Sequence, residues 1–188
     1  MHSERGPYLS VEDYLASELT AEVKHEYADG RAFAMTGTSK DHNLITLNLA
    51  AAMRTPARAD GCQVYVADLK VRIDKVFYYP DVIVECGDAP GESHVVHSPC
   101  LVVEVLSHST EAIDRGEKFL NYRKLPSLLG YLLVSQTRRQ VELFRRVGTS
   151  EIWQLETFIE SGSVGLPCPN YSLSLDEIYA EVGLENAV

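Results

Sequence analysis

Two acidic residues lie within or directly before apolar segments of the sequence, a position that suits metal-ion chemistry. Glu104 lies in the middle of LVVEVLS (residues 101–107), and Asp81 begins DVIVE directly after Pro80. An isolated ionised carboxylate inside an apolar strand costs several kcal/mol or shifts its pKa. If the strands are neighbours, the two carboxylates repel each other unless they share a proton or bind a cation. A hard divalent cation such as Mg²⁺ or Mn²⁺ prefers oxygen ligands, so we expect these residues to form a metal site.

Alternation along a strand predicts the direction of the Glu104 side chain. In an extended chain, every second side chain lies on the same face. Glu104 would share its face with Val102 and Leu106, while residues 101, 103 and 105 point to the opposite face. Because apolar residues occupy both faces, we expect a central strand that is covered on both sides.

The flanking segments predict an α/β fold of the α+β type, with helices packed on a mixed sheet. Helices are predicted over 10–24, 42–58, 110–125 and from Ser174, with Ser10, Asp41 and Ser174 as N-caps. Strands are predicted over 63–67, 69–73, 81–85, 101–107, 131–134, 141–144 and 152–155. Asp29-Gly30 predicts a hairpin over 26–35. The strand–helix–strand unit 101–134 predicts a parallel pair.

Size and composition predict a single domain over residues 1–188. Hydrophobic residues make up 45% of the 188 residues, enough for a sizeable core. No apolar run approaches the ~20 residues that span a bilayer. The first ten residues lack the apolar core of a signal peptide. We therefore expect a soluble, cytoplasmic protein with no membrane partner.

The charge balance limits the ways in which this chain could bind nucleic acid. A net charge of −10 argues against a large basic surface. A nucleic-acid-binding protein of this charge needs a local basic path instead. The residues that could line such a path are Arg54, Arg58, Lys70, Arg72, Arg115, Arg123 and Lys124.

The four cysteines, Cys62, Cys86, Cys100 and Cys168, are widely scattered along the chain. No two of them have CxxC spacing, so the pattern predicts neither a zinc ribbon nor a thioredoxin-like motif. Cys86 and Cys100 adjoin apolar strand-like segments. We therefore expect buried free thiols.

Taken together, the motifs resemble the PD-(D/E)xK nuclease superfamily, which has the restriction-endonuclease-like fold. Pro80-Asp81 is followed by Glu104 in the flanking segments YYPDVIVE, PCLVVEVLSHST and DRGEKFLNYRKL. In this order they are similar to the bacterial Uma family of proposed endonucleases, long catalogued as a domain of unknown function. The likeness covers residues 8–179. It implies a restriction-endonuclease-like core, a mixed sheet flanked by helices, with an N-terminal helix and hairpin.

The resemblance implies a role for each matching residue. Asp81 and Glu104 would bind the metal, and the main-chain carbonyl of Val105 would be a further ligand. Glu26 matches the family's acidic residue after the first helix and would reach the metal directly or through water. Apart from the resemblance, the position of His42 at the start of the second helix would let it hydrogen-bond near the site, bind phosphate or be structural.

The lysine of the superfamily motif is displaced in this chain. Two residues after Glu104, where the superfamily has lysine, the chain has Leu106. In this family the lysine looks displaced onto the following helix, where Lys118 has Asp114 and Tyr122 one turn away on either side. The implied activity is Mg²⁺-dependent phosphodiester hydrolysis, with the lysine orienting or deprotonating the attacking water. The implied partners are nucleic acid, DNA ahead of RNA, and a second copy of the chain in a homodimer.

Structural alternatives remain open at each position. Glu104 could be a buried acid paired with Lys118 or an arginine, and Asp81 could be a strand-start residue after proline. Glu26 could be a solvated strand-end charge. Lys118 and Asp114 could form an ordinary i,i+4 helix pair. For the whole chain, the rival interpretation is a catalytically silent nuclease-fold module that serves as an oligomeric binding or scaffold protein.

Overall fold

The computed structural model describes residues 8–35, 37–87 and 93–184; the N-terminal segment 1–7 considered above lies outside them. The helices are α1 (Val11–Glu18), α2 (Lys40–Ala59), α3 (Glu111–Ile113), α4 (Phe119–Tyr122) and α5 (Leu175–Ile178). A π-helical turn, Asp114–Lys118, joins α3 to α4, so residues 111–122 form one continuous helical segment. The strands are β1 (His25–Ala28), β2 (Arg31–Ala34), β3 (Cys62–Val66), β4 (Lys70–Ile73), β5 (Val76–Tyr78), β6 (Val82–Cys86), β7 (Val95–Val96), β8 (Pro99–Leu106), β9 (Gly130–Ser135), β10 (Gln140–Arg146), β11 (Trp153–Ile159), β12 (Ser163–Pro167) and β13 (Asn170–Ser174).

A six-stranded mixed sheet forms the centre of the fold. Its strand order is β11-β10-β9-β8-β6-β3. β8 and β9 are parallel, as predicted for the strand–helix–strand unit, and the other neighbours are antiparallel. A five-stranded sheet of order β2-β1-β5-β4-β7 and the β12–β13 hairpin complete the strands. The predicted mixed sheet flanked by helices is therefore confirmed.

Strand β8 is buried along its whole length and separates two apolar layers. On one face, Leu101, Val103 and Val105 pack in the cluster that includes Leu49 and Met53 of α2. On the opposite face, the alternate residues 102 and 106 pack with Tyr122 and Leu128 and with side chains of the five-stranded sheet. Each fully buried aliphatic side chain contributes about 1.5–3 kcal/mol. Glu104 lies in the second layer, as strand alternation predicts.

Local sequence signals explain several element ends. Asp29 and Gly30 have φ values of 50° and 75°, which suit the tight turn of the β1–β2 hairpin. Ser10 caps α1, and Ser174 with Glu177 forms a capping box at α5. The prediction that Asp41 caps α2 is wrong. The N-cap is Ser39, whose hydroxyl accepts a hydrogen bond from the main-chain N–H of His42.

Some element boundaries differ from the prediction. Helix α1 ends at Glu18 instead of continuing to about residue 24, and the buried Glu18 carboxylate accepts the His25 N–H at 2.8 Å. This contact turns the chain back into β1. The short strands β5 and β7 and the β12–β13 hairpin were not predicted, since two to five residues carry little periodic signal.

The prediction of buried free thiols is wrong. The structure joins Cys62 to Cys86 and Cys100 to Cys168, and Cys86 is exposed while the other three are buried. Contacts between distant segments bring these residues together, so no local spacing indicates them. Among residues 8–35, 37–87 and 93–184, no helix has both the length and the apolar character needed to cross a membrane.

Candidate active site

The strand pairing places Asp81 beside Glu104. Val82, the first residue of β6, pairs with Val103 of β8, so Asp81 lies just before the start of β6 and next to residues 104 and 105. Its Oδ2 atom accepts the main-chain N–H of Val105 at 2.7 Å. Since the N–H and C=O of one strand residue point to the same edge, the carbonyl of Val105 also faces the side of Asp81.

Lys118 lies at the centre of a buried charge cluster. Its Nζ atom is 2.9 Å from Glu26 Oε1, 3.2 Å from Glu104 Oε1 and 3.1 Å from Asp114 Oδ1. Lys118 is 4% exposed and Asp114 is 1% exposed. The i,i+4 pair with Asp114 is therefore part of a buried network that joins three separate segments, rather than an ordinary surface pair.

Aromatic residues surround this cluster. Tyr122, fully buried, donates its hydroxyl to Glu104 Oε1 at 3.2 Å. The Lys118 ammonium lies 5.4 Å from the centroid of the Tyr78 ring, within cation–π range. The Tyr131 hydroxyl donates to the main-chain oxygen of Asp114 at 2.9 Å and holds the helical segment against β9. Glu104, Lys118 and Asp114 are therefore buried among these rings and have little contact with solvent.

Different elements bring the charged residues into position. Glu26 belongs to β1, and its Oε1 atom also accepts the Tyr79 N–H at 3.2 Å, which ties the hairpin to the chain just before β6. Asp114 and Lys118 begin and end the π-helical turn. Such turns are rare and frequently occur at functional sites. His42, in the first turn of α2, lies 3.3 Å from Asp81 through its Nε2 atom.

The charges at this site do not balance. Three carboxylates, those of Glu26, Glu104 and Asp114, contact the ammonium of Lys118, and a fourth, that of Asp81, acts on Glu104. Burial raises the pKa of Glu104 well above its usual range, and the neighbouring carboxylates raise it further, although Lys118 opposes the shift. Burial alone would lower the pKa of Lys118, but the carboxylates of Glu104, Glu26 and Asp114 outweigh it and hold that pKa well above its usual range. Lys118 is therefore a stable cation.

The donor set fits a hard divalent cation. Carboxylate oxygens and a main-chain carbonyl are the ligands that Mg²⁺ and Mn²⁺ prefer. Among the described residues, Asp114 Oδ1 is buried without a hydrogen-bond partner, although it lies at ion-pair distance from Lys118. A second positive charge would offset the excess of carboxylates.

The structure brings the residues singled out in the sequence into one place. Glu26, Glu104 and Lys118 are in direct contact, while Asp81 joins them through Val105. For Asp114 the sequence predicts only a helix pair with Lys118, from the spacing of four residues between them. The contact of His42 with Asp81 crosses from α2 to the sheet, and sequence spacing carries no information about it.

Several of the basic residues proposed for a nucleic-acid path have protein partners. Arg115 pairs with Glu111 and with Glu142. Lys70 is buried and lies 5.3 Å from the centroid of the Tyr79 ring. These three contacts reduce the positive charge that Arg115 and Lys70 can offer to a phosphate backbone.

Comparison with known proteins assigns the chain to a family. The family described as "Uma2: Putative restriction endonuclease" matches residues 11–176. The chain belongs to the Uma2 family. Its residues that form the charge cluster, from Glu26 to Lys118, all fall inside the matched range.

Two relatives and one solved structure extend the comparison. The uncharacterized protein slr1290 of Synechocystis sp. (strain ATCC 27184 / PCC 6803 / Kazusa) is 38% identical over 95% of this chain and 96% of its own length. The uncharacterized protein sll1609 of the same organism is 32% identical over 78% of this chain and 85% of its own. A crystal structure titled as a putative nuclease belonging to DUF820, from Anabaena variabilis ATCC 29413, superposes with a TM-score of 0.75 at 16% identity. It covers 91% of this chain and 97% of that chain. The Uma2 chain therefore has a nuclease-like fold.

The raised pKa of Glu104 predicts a pH-dependent effect of Glu104→Gln. Because this pKa is higher in the folded than in the unfolded chain, Glu104 ionises above about pH 4.5 in the unfolded chain while it stays protonated in the folded chain, so stability falls as the pH rises. In a chelator-containing buffer, Glu104→Gln should have a higher melting temperature than the wild type. The difference should grow as the pH rises from about 4.5 to neutral. A melting temperature that falls below that of the wild type as the pH rises would mean that the Lys118 pair outweighs the burial cost.

Proposed function

We propose that the chain is a metal-dependent endonuclease that hydrolyses phosphodiester bonds of nucleic acid, DNA ahead of RNA. The observation that supports this most is the convergence of Glu26, Glu104 and Lys118 within 3.2 Å contacts, with Asp81 beside them. The match to a family described as "Putative restriction endonuclease" supports the same activity. We place the protein in the cytoplasm as a single domain.

Asp81 and Glu104 would hold Mg²⁺ or Mn²⁺, with the Val105 carbonyl as a further ligand. The Val105 carbonyl faces the side of Asp81, just before the start of β6. Glu26 would reach the ion directly or through water. Its carboxylate contacts the same Lys118 ammonium as the carboxylate of Glu104. When bound, a divalent cation supplies Lewis-acid polarisation of the phosphate and charge neutralisation at the reacting centre.

Lys118 would act as a fixed positive charge. Its pKa is raised by the surrounding carboxylates, so the Nζ atom keeps its protons and can donate hydrogen bonds to a phosphate oxygen or to the attacking water. This favours the orienting role over proton abstraction by the lysine. Tyr122 and Asp114 would hold Glu104 and Lys118 in position. His42 would keep the Asp81 carboxylate aligned through its Nε2 atom.

A second candidate function is a catalytically silent nuclease-fold module. One observation favours it: the Lys118 ammonium contacts carboxylates on three sides and has little exposed surface. A network of this kind can be structural, because a buried cation needs partners. The excess of carboxylates over cations favours the metal-dependent enzyme.

We also propose a homodimer, as in superfamily members that cut duplexes in symmetric pairs. Strand β11 is an edge of the six-stranded sheet, and edge strands leave main-chain groups available for pairing. Leu155 and Ile159 on this strand are 51% and 59% exposed.

Metal binding is tested with Asp81→Asn. The amide oxygen of Asn can still accept the Val105 N–H, so folding is retained while the charge is lost. We expect calorimetric titration with Mg²⁺ or Mn²⁺ to give binding heat for the wild type and a loss of at least about tenfold in affinity for the variant. Asp74→Asn, at an exposed turn position, is the matched control and should bind like the wild type. Equal heats for Asp81→Asn and the wild type would contradict this metal site.

Catalysis is tested with Lys118→Ala on single-stranded, duplex and branched DNA and RNA in the presence of Mg²⁺. Loss of a positioned donor should lower the cleavage rate by about 10²–10³-fold. Lys75→Ala is the control, since Lys75 is exposed at the turn between β4 and β5 and is not among the residues of the basic path. A thermal melt of each variant with Mg²⁺ separates lost chemistry from lost folding.

Two outcomes would contradict this assignment. Wild-type rates in a folded Lys118→Ala protein would remove the lysine from the mechanism. No cleavage of any substrate by the wild type with either metal would favour the silent module.

The dimer is tested by light scattering at tens of micromolar. We expect twice the chain mass for the wild type and a shift toward the chain mass for Ile159→Lys, because a charge on the edge disfavours strand pairing. Leu47→Lys, at a similarly exposed apolar position on α2, should remain dimeric. A wild type with the mass of one chain would refute the proposal.

A further inference from the structure

All four cysteines of the chain meet at one point of the fold. Their sulfur atoms lie within 4.8 Å of one another. Cys62 begins β3 and pairs in register with Cys86 at the end of β6, while Cys100 lies near the start of β8. Cys168 lies in the turn between β12 and β13. Two of the pairs are joined as disulfides, Cys62–Cys86 and Cys100–Cys168.

The distances between the two pairs point to a common ligand. Cys86 Sγ is 3.4 Å from Cys100 Sγ and 3.3 Å from Cys168 Sγ. Two independent disulfides have no need to lie in contact. A tetrahedral Zn²⁺ ion does require four sulfurs close together, because Zn–S bonds of about 2.3 Å place the sulfurs roughly 3.8 Å apart.

We propose that the reduced protein binds one Zn²⁺ ion through Cys62, Cys86, Cys100 and Cys168. Each thiol loses its proton to solvent as its sulfur bonds to zinc, and no electron is transferred. The two disulfides are the oxidised, metal-free counterpart of this cluster, and two equivalents of a dithiol reduce them to the four thiols while the dithiol itself becomes a disulfide. Cys86 is exposed and gives the ion a route of entry, while the three buried sulfurs enclose it.

The zinc site is structural and separate from the candidate active site. Four sulfur ligands leave no open coordination position for a substrate. Asp81 precedes β6 and Cys86 ends it, so at about 3.3 Å per residue the two sites are roughly 16 Å apart along the strand. The ion would fasten the edge strand β3 and the β12–β13 hairpin to the central strands β6 and β8.

The first experiment measures metal and thiols on the wild-type protein. Protein isolated without oxygen, chelator or added thiol should contain about one zinc per chain by mass spectrometry of the metal. Denaturation with a chelator should then release four reactive thiols, one from each cysteine. A chelator alone should lower the melting temperature by about 5 °C or more, and added Zn²⁺ should restore it.

Single Cys→Ser variants separate zinc binding from disulfides. Each of the four variants should lose stoichiometric zinc, because each removes a ligand. The disulfide alternative instead predicts that Cys62→Ser leaves the Cys100–Cys168 bond intact. Asp81→Asn is the matched control and should keep its zinc, since it alters only the candidate active site.

Three results would overturn the zinc site. The first is less than about a tenth of a zinc per chain in protein whose four cysteines are all in disulfides. The second is the same low zinc content in protein whose four thiols are all free. The third is stoichiometric iron in place of zinc. None of these results depends on a variant that must fold, and none bears on nucleic-acid cleavage.

Discussion

A lysine ammonium held among carboxylates inside an apolar layer is the interaction on which the candidate site depends. Lys118 joins Glu26 of the hairpin, Glu104 of β8 and Asp114 of its own helical turn. Each charge alone would be costly to bury. Together they are tolerated, and removal of the shared Lys118 cation from such a network typically costs about 3–5 kcal/mol, because it leaves the buried carboxylates without their partner. The packing of three segments is therefore coupled to the geometry of the site.

The same network leaves an uncompensated negative charge. Asp81 adds a fourth carboxylate next to the end of β8, and it is partnered by the Val105 N–H and by His42. Burial is the main cause of the raised pKa of Glu104, and the carboxylates of Asp114, Asp81 and Glu26 raise that pKa further. An excess of carboxylates in a buried, aromatic-walled site is the arrangement that a divalent cation stabilises. The family match supports a nuclease, and the excess of carboxylates is the separate observation behind the proposed metal ion.

The central strands β6 and β8 connect two clusters of reactive side chains at opposite ends. Because the strands are antiparallel, the start of β6 meets the end of β8 at the carboxylates, and the end of β6 meets the start of β8 at the cysteines. The sulfur cluster also contacts β3 and the β12–β13 hairpin. Anything that holds the cysteines together therefore restrains the strands that carry Asp81 and Glu104. This provides a physical link between the two ends of the sheet.

The sequence by itself determined the features that depend on local patterns. Alternation along residues 101–107 predicted the face of Glu104, and Asp29-Gly30 predicted the hairpin, because strand period and turn geometry are properties of a few adjacent residues. The order of the PD, VVEVLS and DxxxK motifs indicated the family and the residues of the site.

Only the tertiary structure decided which distant groups touch. It brought Glu26 and His42 to the carboxylates, placed Asp114 in a π-helical turn, and united four cysteines that are at least 14 positions apart in the sequence. Such contacts arise when separate elements pack their apolar faces. The energies that drive this packing are non-directional and are summed over the whole core. Local spacing therefore carries no record of them.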